Sequence, residues 1–140
     1  MVGKTTFLLP LGAVTAAIVL IAAQPLPTFA QAQAGIWEVS GLPGVKSPVR
    51  QCIADVLALA RFEHRSKPCT ARVLKNAGGE ASVEYSCGAA GFGHADLQVI
   101  TPRSIRIATQ GISDGLPFNY VLQARRVGDC AKQVPVASRH

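Results

Sequence analysis

The chain has 140 residues, four cysteines and a formal net charge of +6, and its length suits one domain with a single modest core. Aromatic residues make up only 6% of it, so the chain lacks the aromatic surface on which nucleic-acid binders stack bases. Its basic residues are scattered along the sequence, and we therefore expect no nucleic-acid partner.

The N-terminal part of the chain has the layout of a secretory signal. An apolar run from Phe7 to Ala23 follows a single lysine and precedes a polar, proline-broken stretch with small residues. We predict that residues 1–30 are a signal peptide cleaved after Ala30, with cleavage after Ala32 as the alternative. The protein would then be periplasmic or extracellular and would keep no stable membrane span.

Residues 31–140 are expected to form a single exported β-rich domain, with a folded core over residues 35–130 and a frayed tail over residues 131–140. The core begins with GIWEVS, whose alternation predicts a strand that turns Trp37 and Val39 inward. The chain has one tryptophan, and we expect it to plug the core. The turn-rich stretch GLPGVKSP follows, and the next three residues, VRQ, are ambiguous.

The segment from Cys52 to Arg65 has the spacing of a helix. Its apolar residues fall on one stripe, formed by Ile53, Val56, Leu57 and Ala60. An acidic residue in its first turn and basic residues near its end suit the helix dipole. The segment therefore predicts one short α-helix.

The segment CTARVLKNAGGEASVEYSC, residues 69–87, predicts a β-hairpin because two alternating runs flank a loop rich in Asn and Gly. A three-residue loop over residues 77–79 gives four facing pairs: Ala71 with Tyr85, Arg72 with Glu84, Val73 with Val83, and Cys69 with Cys87. A slip of one residue would mix the two faces, which a half-buried sheet penalises.

All four cysteines lie in the exported part, where a small domain uses cysteines for disulfides. The hairpin register predicts the pair Cys69–Cys87, which leaves Cys52–Cys130 to tie the start of the domain to its end. The chain has no CxxC motif and no zinc-site spacing, so neither a redox site nor a metal is expected at these residues.

Two further elements complete the domain. The runs ADLQVI and SIRIATQG predict a hairpin in which Leu97 faces Ile107 and Val99 faces Ile105. After the turn ISDGLP, the run FNYVLQARRV predicts the last strand. The predicted fold is mainly β: an antiparallel meander curved towards a half-barrel, with one short α-helix and two disulfides.

A set of residues spread along the chain carries a family resemblance. In chain order these residues are Gly35, Trp37, Glu38, Gln51, Cys52, Cys69, Cys87, Arg126, Gly128 and Cys130. In this pattern the chain resembles the small exported bacterial proteins catalogued as domain of unknown function 3617, over about residues 35–130. The resemblance implies an exported, mostly β protein. It brings no established activity and therefore assigns no catalytic residue.

The strongest candidate for chemistry is the pair His94 and Asp96. On a strand they share one face and could begin a metal site or pair a base with its orienting group. The other histidines, His64 and His140, are far away in sequence, so we predict no metal site and no cofactor. The chain has no GxSxG motif, and its serines follow no nucleophile turn. We therefore expect a protein that is not an enzyme.

Two hypotheses for its function follow. The domain either binds a small apolar or amphipathic molecule on the concave side of the sheet, or it is an envelope protein-interaction or structural module without a ligand pocket. For the first hypothesis, the candidate ligand face is Trp37, Tyr85, Phe118, Tyr120 and Leu122. If its own side chains fill that face, the second hypothesis, with an envelope protein as partner, is favoured.

Overall fold

The computed structural model describes residues 27–131, together with Gly3 and Gly12. The described part of the chain contains one seven-stranded antiparallel sheet in the order β2-β1-β7-β6-β5-β4-β3, which stays open, with β2 and β3 as its edges. The strands are β1 Gly35–Ser40, β2 Val49–Ile53, β3 Thr70–Ala77, β4 Glu80–Ser86, β5 Gly91–Thr101, β6 Ser104–Ser113 and β7 Leu116–Gly128. The predicted mainly β, antiparallel fold is confirmed. Most of the predicted signal and the tail from residue 132 lie outside the described residues.

The largest difference from the predicted elements lies in the segment Cys52–Arg65. Its first two residues, Cys52 and Ile53, end strand β2 and pair with β1. The helix is a 3₁₀ helix over Val56–His64, and the Asp55 carboxylate caps it by accepting a hydrogen bond from a backbone N–H at 3.0 Å. The predicted α-helix is therefore wrong in type and start, because pairing with β1 holds the first residues extended.

The 3₁₀ helix lies on the core face of the sheet, in contact with β2, β5 and β6. Its buried residues are Val56, Leu59, Ala60, Phe62 and His64. The predicted stripe included Leu57, which is only half-buried, and missed Leu59, Phe62 and His64. Tighter winding moves the buried positions away from a stripe spaced for an α-helix.

The register predicted for the hairpin of β3 and β4 is confirmed in its first half, where Ala71 faces Tyr85, Arg72 faces Glu84 and Val73 faces Val83. The register then shifts between Val73 and Lys75. The turn consequently contains only Gly78 and Gly79, with φ of 67° and 78°. The predicted three-residue loop is wrong, because a two-residue turn needs positive φ at both positions and two glycines supply it.

Both predicted disulfides are confirmed. Cys69 is bonded to Cys87 and Cys52 to Cys130, with Cα–Cα distances of 4.1 and 5.5 Å. Cys52 lies in edge strand β2, and Cys69 immediately precedes edge strand β3. Each disulfide therefore joins one edge of the sheet to the end of another strand.

The core lies on one face of the sheet, beneath the 3₁₀ helix. Its fully buried side chains include Trp37 and Val39 of β1, and the indole N–H of Trp37 donates to the backbone oxygen of Gln33 at 3.0 Å. The predicted role of Trp37 as a core plug is confirmed. The remaining predicted pairs also hold, since Leu97 faces Ile107 and Val99 faces Ile105.

The segment before β1 is folded as well. A short helix, α1 Thr28–Gln31, contacts β3, β4 and β5. Thr28 is 1% exposed, and Phe29 packs against the core. Residues 28–30, which the sequence predicts as the end of the signal peptide, therefore form part of a helix that contacts the sheet.

Candidate functional site

The protein itself covers part of the predicted ligand face, and three residues of that face, Tyr85, Phe118 and Tyr120, line open cavities. All five of its residues lie on core-facing positions, but Trp37 and Leu122 are 0% exposed and Tyr85 is 4% exposed. Phe118 and Tyr120 are half-buried. Trp37 and Leu122 are therefore core residues rather than ligand contacts, because the 3₁₀ helix and the neighbouring strands cover them.

A buried polar contact joins the end of the 3₁₀ helix to the sheet. His64 is 2% exposed, its Nε2 lies 3.1 Å from the backbone oxygen of Ala90, and its Nδ1 lies 3.3 Å from the Tyr85 hydroxyl. A carbonyl oxygen only accepts, so Nε2 carries a proton and donates to Ala90, while Nδ1 contacts the Tyr85 hydroxyl. Burial raises the pKa of Tyr85 to about 12. This contact fixes the position of the tyrosine.

Tyr120 makes a similar contact at the same end of the core. Its hydroxyl donates to the Glu63 carboxylate, and its ring lies 5.7 Å from the ring of Phe118, centroid to centroid. Burial, with the hydrogen bond to Glu63, raises the pKa of Tyr120 well above its ordinary value. A smaller hollow of about 500 Å³ opens beside Tyr120, between the helix end and the loop after β1.

An open cleft of about 950 Å³, which we call the outer cleft, is larger than the hollow beside Tyr120. Its lining residues are Thr70, Ala71, Arg72, Glu84, Tyr85, Ser86, Phe92, Gly93, His94, Gln110, Gly111, Ile112, Pro117, Phe118 and Asn119. Ten of these fifteen residues alternate along their strands with core-facing residues. They lie on the face of the sheet opposite to the core, whereas the sequence predicts a site on the core face.

Two cross-strand rows of side chains form most of this lining. The apolar row joins three neighbouring strands, with Phe92 facing Ile112 and Ile112 facing Pro117. The polar row lies one pleat away. It consists of Arg72, Glu84, His94, Gln110 and Asn119, each facing the next. An apolar surface across three strands thus lies beside a line of hydrogen-bonding groups that crosses five strands.

Two glycines separate these rows. Gly93 and Gly111 face each other across β5 and β6, and neither places a side chain in the sheet at this point. The Tyr85 ring lies over Gly93, and the Phe118 ring lies beside Gly111. The two aromatic rings thus cover the backbone of the glycine pair on the core side, as aromatic residues often cover a glycine in a neighbouring strand.

The charged groups of the outer cleft are largely paired. The Arg72 guanidinium lies 2.8 Å from the Glu84 carboxylate, and both side chains are exposed. His94 Nε2 lies 3.2 Å from Asp96 Oδ1, as the shared face of the strand predicts. The lining therefore offers no isolated charge to select a strongly ionic ligand.

The pair His94 and Asp96 lacks the arrangement of a catalytic site. The Ser82 hydroxyl donates to Asp96 at 2.6 Å, and this hydrogen bond, with a smaller effect of His94, holds the pKa of Asp96 below its usual range. Here the serine donates to the carboxylate, whereas an activated serine donates to an imidazole. Among residues 27–131, no three His, Cys, Asp or Glu side chains are placed to hold a metal ion.

Sequence reasoning missed the apolar row. The sequence predicts a turn at Ile112 and no strand at Phe92, so it does not place these residues on one face of the sheet. The stretch GFGHAD contains the signal, because its alternation puts Phe92 on the face of His94 and opposite to Gly93 and Ala95. A phenylalanine that is 56% exposed on a regular strand is the clearest mark of the outer cleft.

Comparison with known proteins adds no relative. No protein-family model matches the chain, and no characterised protein or solved structure is significantly similar to it. The resemblance to domain of unknown function 3617 stays a prediction from the sequence. Within residues 27–131, no helix has the length and apolar character needed to cross a membrane, and the two disulfides indicate an oxidising compartment.

Proposed function

We propose that this protein is an exported, non-enzymatic binding domain that holds a small amphipathic molecule in the outer cleft. The observation that carries the proposal is the apolar row of exposed Phe92, half-buried Ile112 and exposed Pro117, which lies beside a polar row in a cleft of about 950 Å³. Small-molecule sites have volumes of roughly 300–1,000 Å³ and combine apolar walls with a few polar groups.

The two rows would divide the ligand between them. An acyl chain or ring would lie on Phe92 and Ile112, whose contact with water is unfavourable in the free protein. The side-chain amides of Gln110 and Asn119 would donate to and accept from a polar head group. Because Arg72 and Glu84 neutralise each other, the lining favours a neutral or zwitterionic head group over a strongly anionic one.

Binding of dodecylphosphocholine, used as a monomer below its critical micelle concentration, tests the proposal. We expect saturable shifts of backbone amide NMR signals in residues 92–94, 110–112 and 118–119, with little change in residues 98–101 and 103–106 at the other end of β5 and β6. Glycerophosphocholine, which lacks the acyl chain, should cause no such shifts. Shifts spread evenly over the sheet would contradict a site in the outer cleft.

A matched pair of variants sharpens the test. Phe92 is 56% exposed and Ile100 is 57% exposed on the same strand, but only Phe92 lines the outer cleft. Phe92→Ala should weaken binding about 10- to 100-fold, since burial of such a side chain contributes roughly 1.5–3 kcal/mol. Ile100→Ala should bind as the unaltered protein does.

A protein partner is the second candidate. Leu116, beside the outer cleft, is 70% exposed, and every residue of edge strand β3 is exposed. Such a surface suits an envelope protein that contributes a strand or an apolar side chain. If no amphipathic probe binds, crosslinking from position 92 in the envelope, with position 100 as the control, distinguishes this candidate from a free surface.

A further inference from the structure

From residues 28–33 we infer that the signal peptide is removed before Thr28, and not after Ala30 or Ala32. This inference depends on the export signal in the sequence and is independent of the ligand proposal. Cleavage after Ala30 would discard Thr28 and Phe29, and the side chains of these two residues pack against the folded domain.

Thr28 is the most deeply placed of these residues. Its side chain is 1% exposed, and its hydroxyl donates to the backbone oxygen of Glu80, the first residue of β4, at 2.6 Å. This hydrogen bond stabilises the domain. Without the Thr28 hydroxyl, the backbone oxygen of Glu80 would lose its partner, and a buried unpaired carbonyl costs free energy.

The neighbouring residues continue the contact along the same end of the sheet. Phe29 packs against the core, and its backbone N–H lies 3.4 Å from the side-chain oxygen of Asn76 on β3. The backbone N–H of Gln33 donates to the oxygen of Pro102 in the turn between β5 and β6, at 3.1 Å. The segment 28–33 thus crosses two of the sheet's turns and covers the core between them.

The segment also supports the tryptophan of β1. The backbone oxygen of Gln33 accepts the indole hydrogen bond of Trp37, which is 0% exposed. A mature chain that began at Gln31 would lose the anchor at Thr28 and Phe29 that holds this segment in place. A chain that began at Gln33 would carry the acceptor on its terminal residue.

The sequence offers an earlier site that keeps all of these contacts. The stretch from Leu11 to Ile21 contains no charged residue and only one polar residue, Thr15, and Ala22 and Ala23 follow it. This length and small-residue ending lie within the ordinary range of signal peptides. Cleavage after Ala23 would start the mature chain at Gln24 and leave Thr28 and Phe29 in the domain.

The intact mass and N-terminal sequence of the exported protein test the inference. We expect a mature chain that starts at Gln24, and any start from residue 23 to 28 supports retention of Thr28. A start at Gln31 or Gln33, or an unprocessed chain that keeps Met1, would overturn it.

Two matched sets of variants locate the processing site and the role of the segment. The double variant Ala22→Leu, Ala23→Leu should accumulate precursor, whereas Ala30→Leu, at an exposed position, should be processed normally. The reverse pattern refutes the inference. In the exported protein, Thr28→Val should lower the Tm by about 3–8 °C, and Thr70→Val, at an exposed position, should leave the Tm unchanged. If Thr28 is discarded on export, Thr28→Val will have no effect on the mature protein.

Discussion

The Tyr85 ring occupies the space that a side chain at Gly93 would need. A Cβ at this glycine would lie 2.4 Å from the Tyr85 hydroxyl oxygen and 2.5 Å from Cζ. The ring has little room to move, because it is buried and its hydroxyl is bonded to His64. The lack of a side chain at Gly93 therefore leaves room for the Tyr85 ring and its hydrogen bond with His64 beneath the outer cleft.

We expect Gly93→Ala to destabilise the protein by about 1–3 kcal/mol, the usual cost of overpacking a core. Denaturant unfolding measures this change. Gly128→Ala is the control, since nothing lies within 4 Å of a Cβ at that glycine. Equal stability of the two variants would contradict the packing described for Tyr85.

The two tyrosines give the protein a defined response to alkali. Burial raises the pKa of Tyr85 from its ordinary value of 10.0 to about 12, and that of Tyr120 is raised as well. The unfolded chain loses these protons near pH 10 and the folded chain only at higher pH, so stability is unaffected below about pH 10 and falls as the pH rises towards 12.

Phenolate absorbance during a pH titration checks this response. The chain has two tyrosines, so we expect no normal tyrosine titration in the native protein. The variants Tyr85→Phe and Tyr120→Phe assign the two transitions. Ionisation of either residue near pH 10 in the folded protein would be inconsistent with its burial and hydrogen bond.

Among the elements, strands could be predicted where the residues on both faces of a strand pair show a distinct pattern in the sequence. The register of β3 and β4 followed from opposite charges on one face and apolar residues on the other, and it fixed both disulfides. The segment from Cys52 failed because a strand and a helix share short apolar runs. Cys52 and Ile53 are extended because β2 pairs with β1, and the local sequence does not show this pairing.

Loss of the two disulfides should have unequal effects on stability. The bonds enclose sequence separations of 78 and 18 residues. In the chain-entropy model, these loops contribute about 4.5 and 3 kcal/mol. Replacement of Cys52 and Cys130 by serine should therefore lower the free energy of unfolding more than replacement of Cys69 and Cys87. Denaturant unfolding of the two double variants measures both, and the opposite order would argue against loop length as the cause.

For the whole molecule, the core was predictable and the outer cleft was not. Trp37 and Val39 share one face of β1, and Glu38 and Ser40 lie on the other, so the burial of the first pair follows from the strand pattern. The outer cleft depends on five strands meeting in one register, with Phe92, Ile112 and Pro117 contributed by different parts of the chain. The alternation in a single sequence predicts the face on which each residue lies, but it does not predict which strands become neighbours in the sheet.

The sheet leaves two edges open, and β3 carries charges that discourage pairing with a second copy. Arg72 forms an ion pair with Glu84, and Lys75 forms one with Glu80. Both basic side chains are exposed on an edge strand, the usual means by which soluble proteins prevent edge-to-edge association. The apolar Val73 and Leu74 lie between them and are 41% and 47% exposed.

Replacement of Arg72 and Lys75 by threonine should promote concentration-dependent self-association, which light scattering detects. The control double variant, Lys46→Thr with Lys67→Thr, removes the same charge at exposed positions away from this edge. Association of the β3 variant alone would support the role of the edge. Equal association of both variants would mean that net charge is responsible.

The positions of the two disulfides also determine how the sheet can be digested. A protease must pull an extended segment out of a sheet before it can cut, and edge strands leave first because they have one neighbour. Here Cys52–Cys130 and Cys69–Cys87 tether both edge strands, so a detached edge strand stays close to the sheet and can reclose. We therefore expect the oxidised protein to resist proteolysis, and we expect reduction to open both edges of the sheet to cleavage.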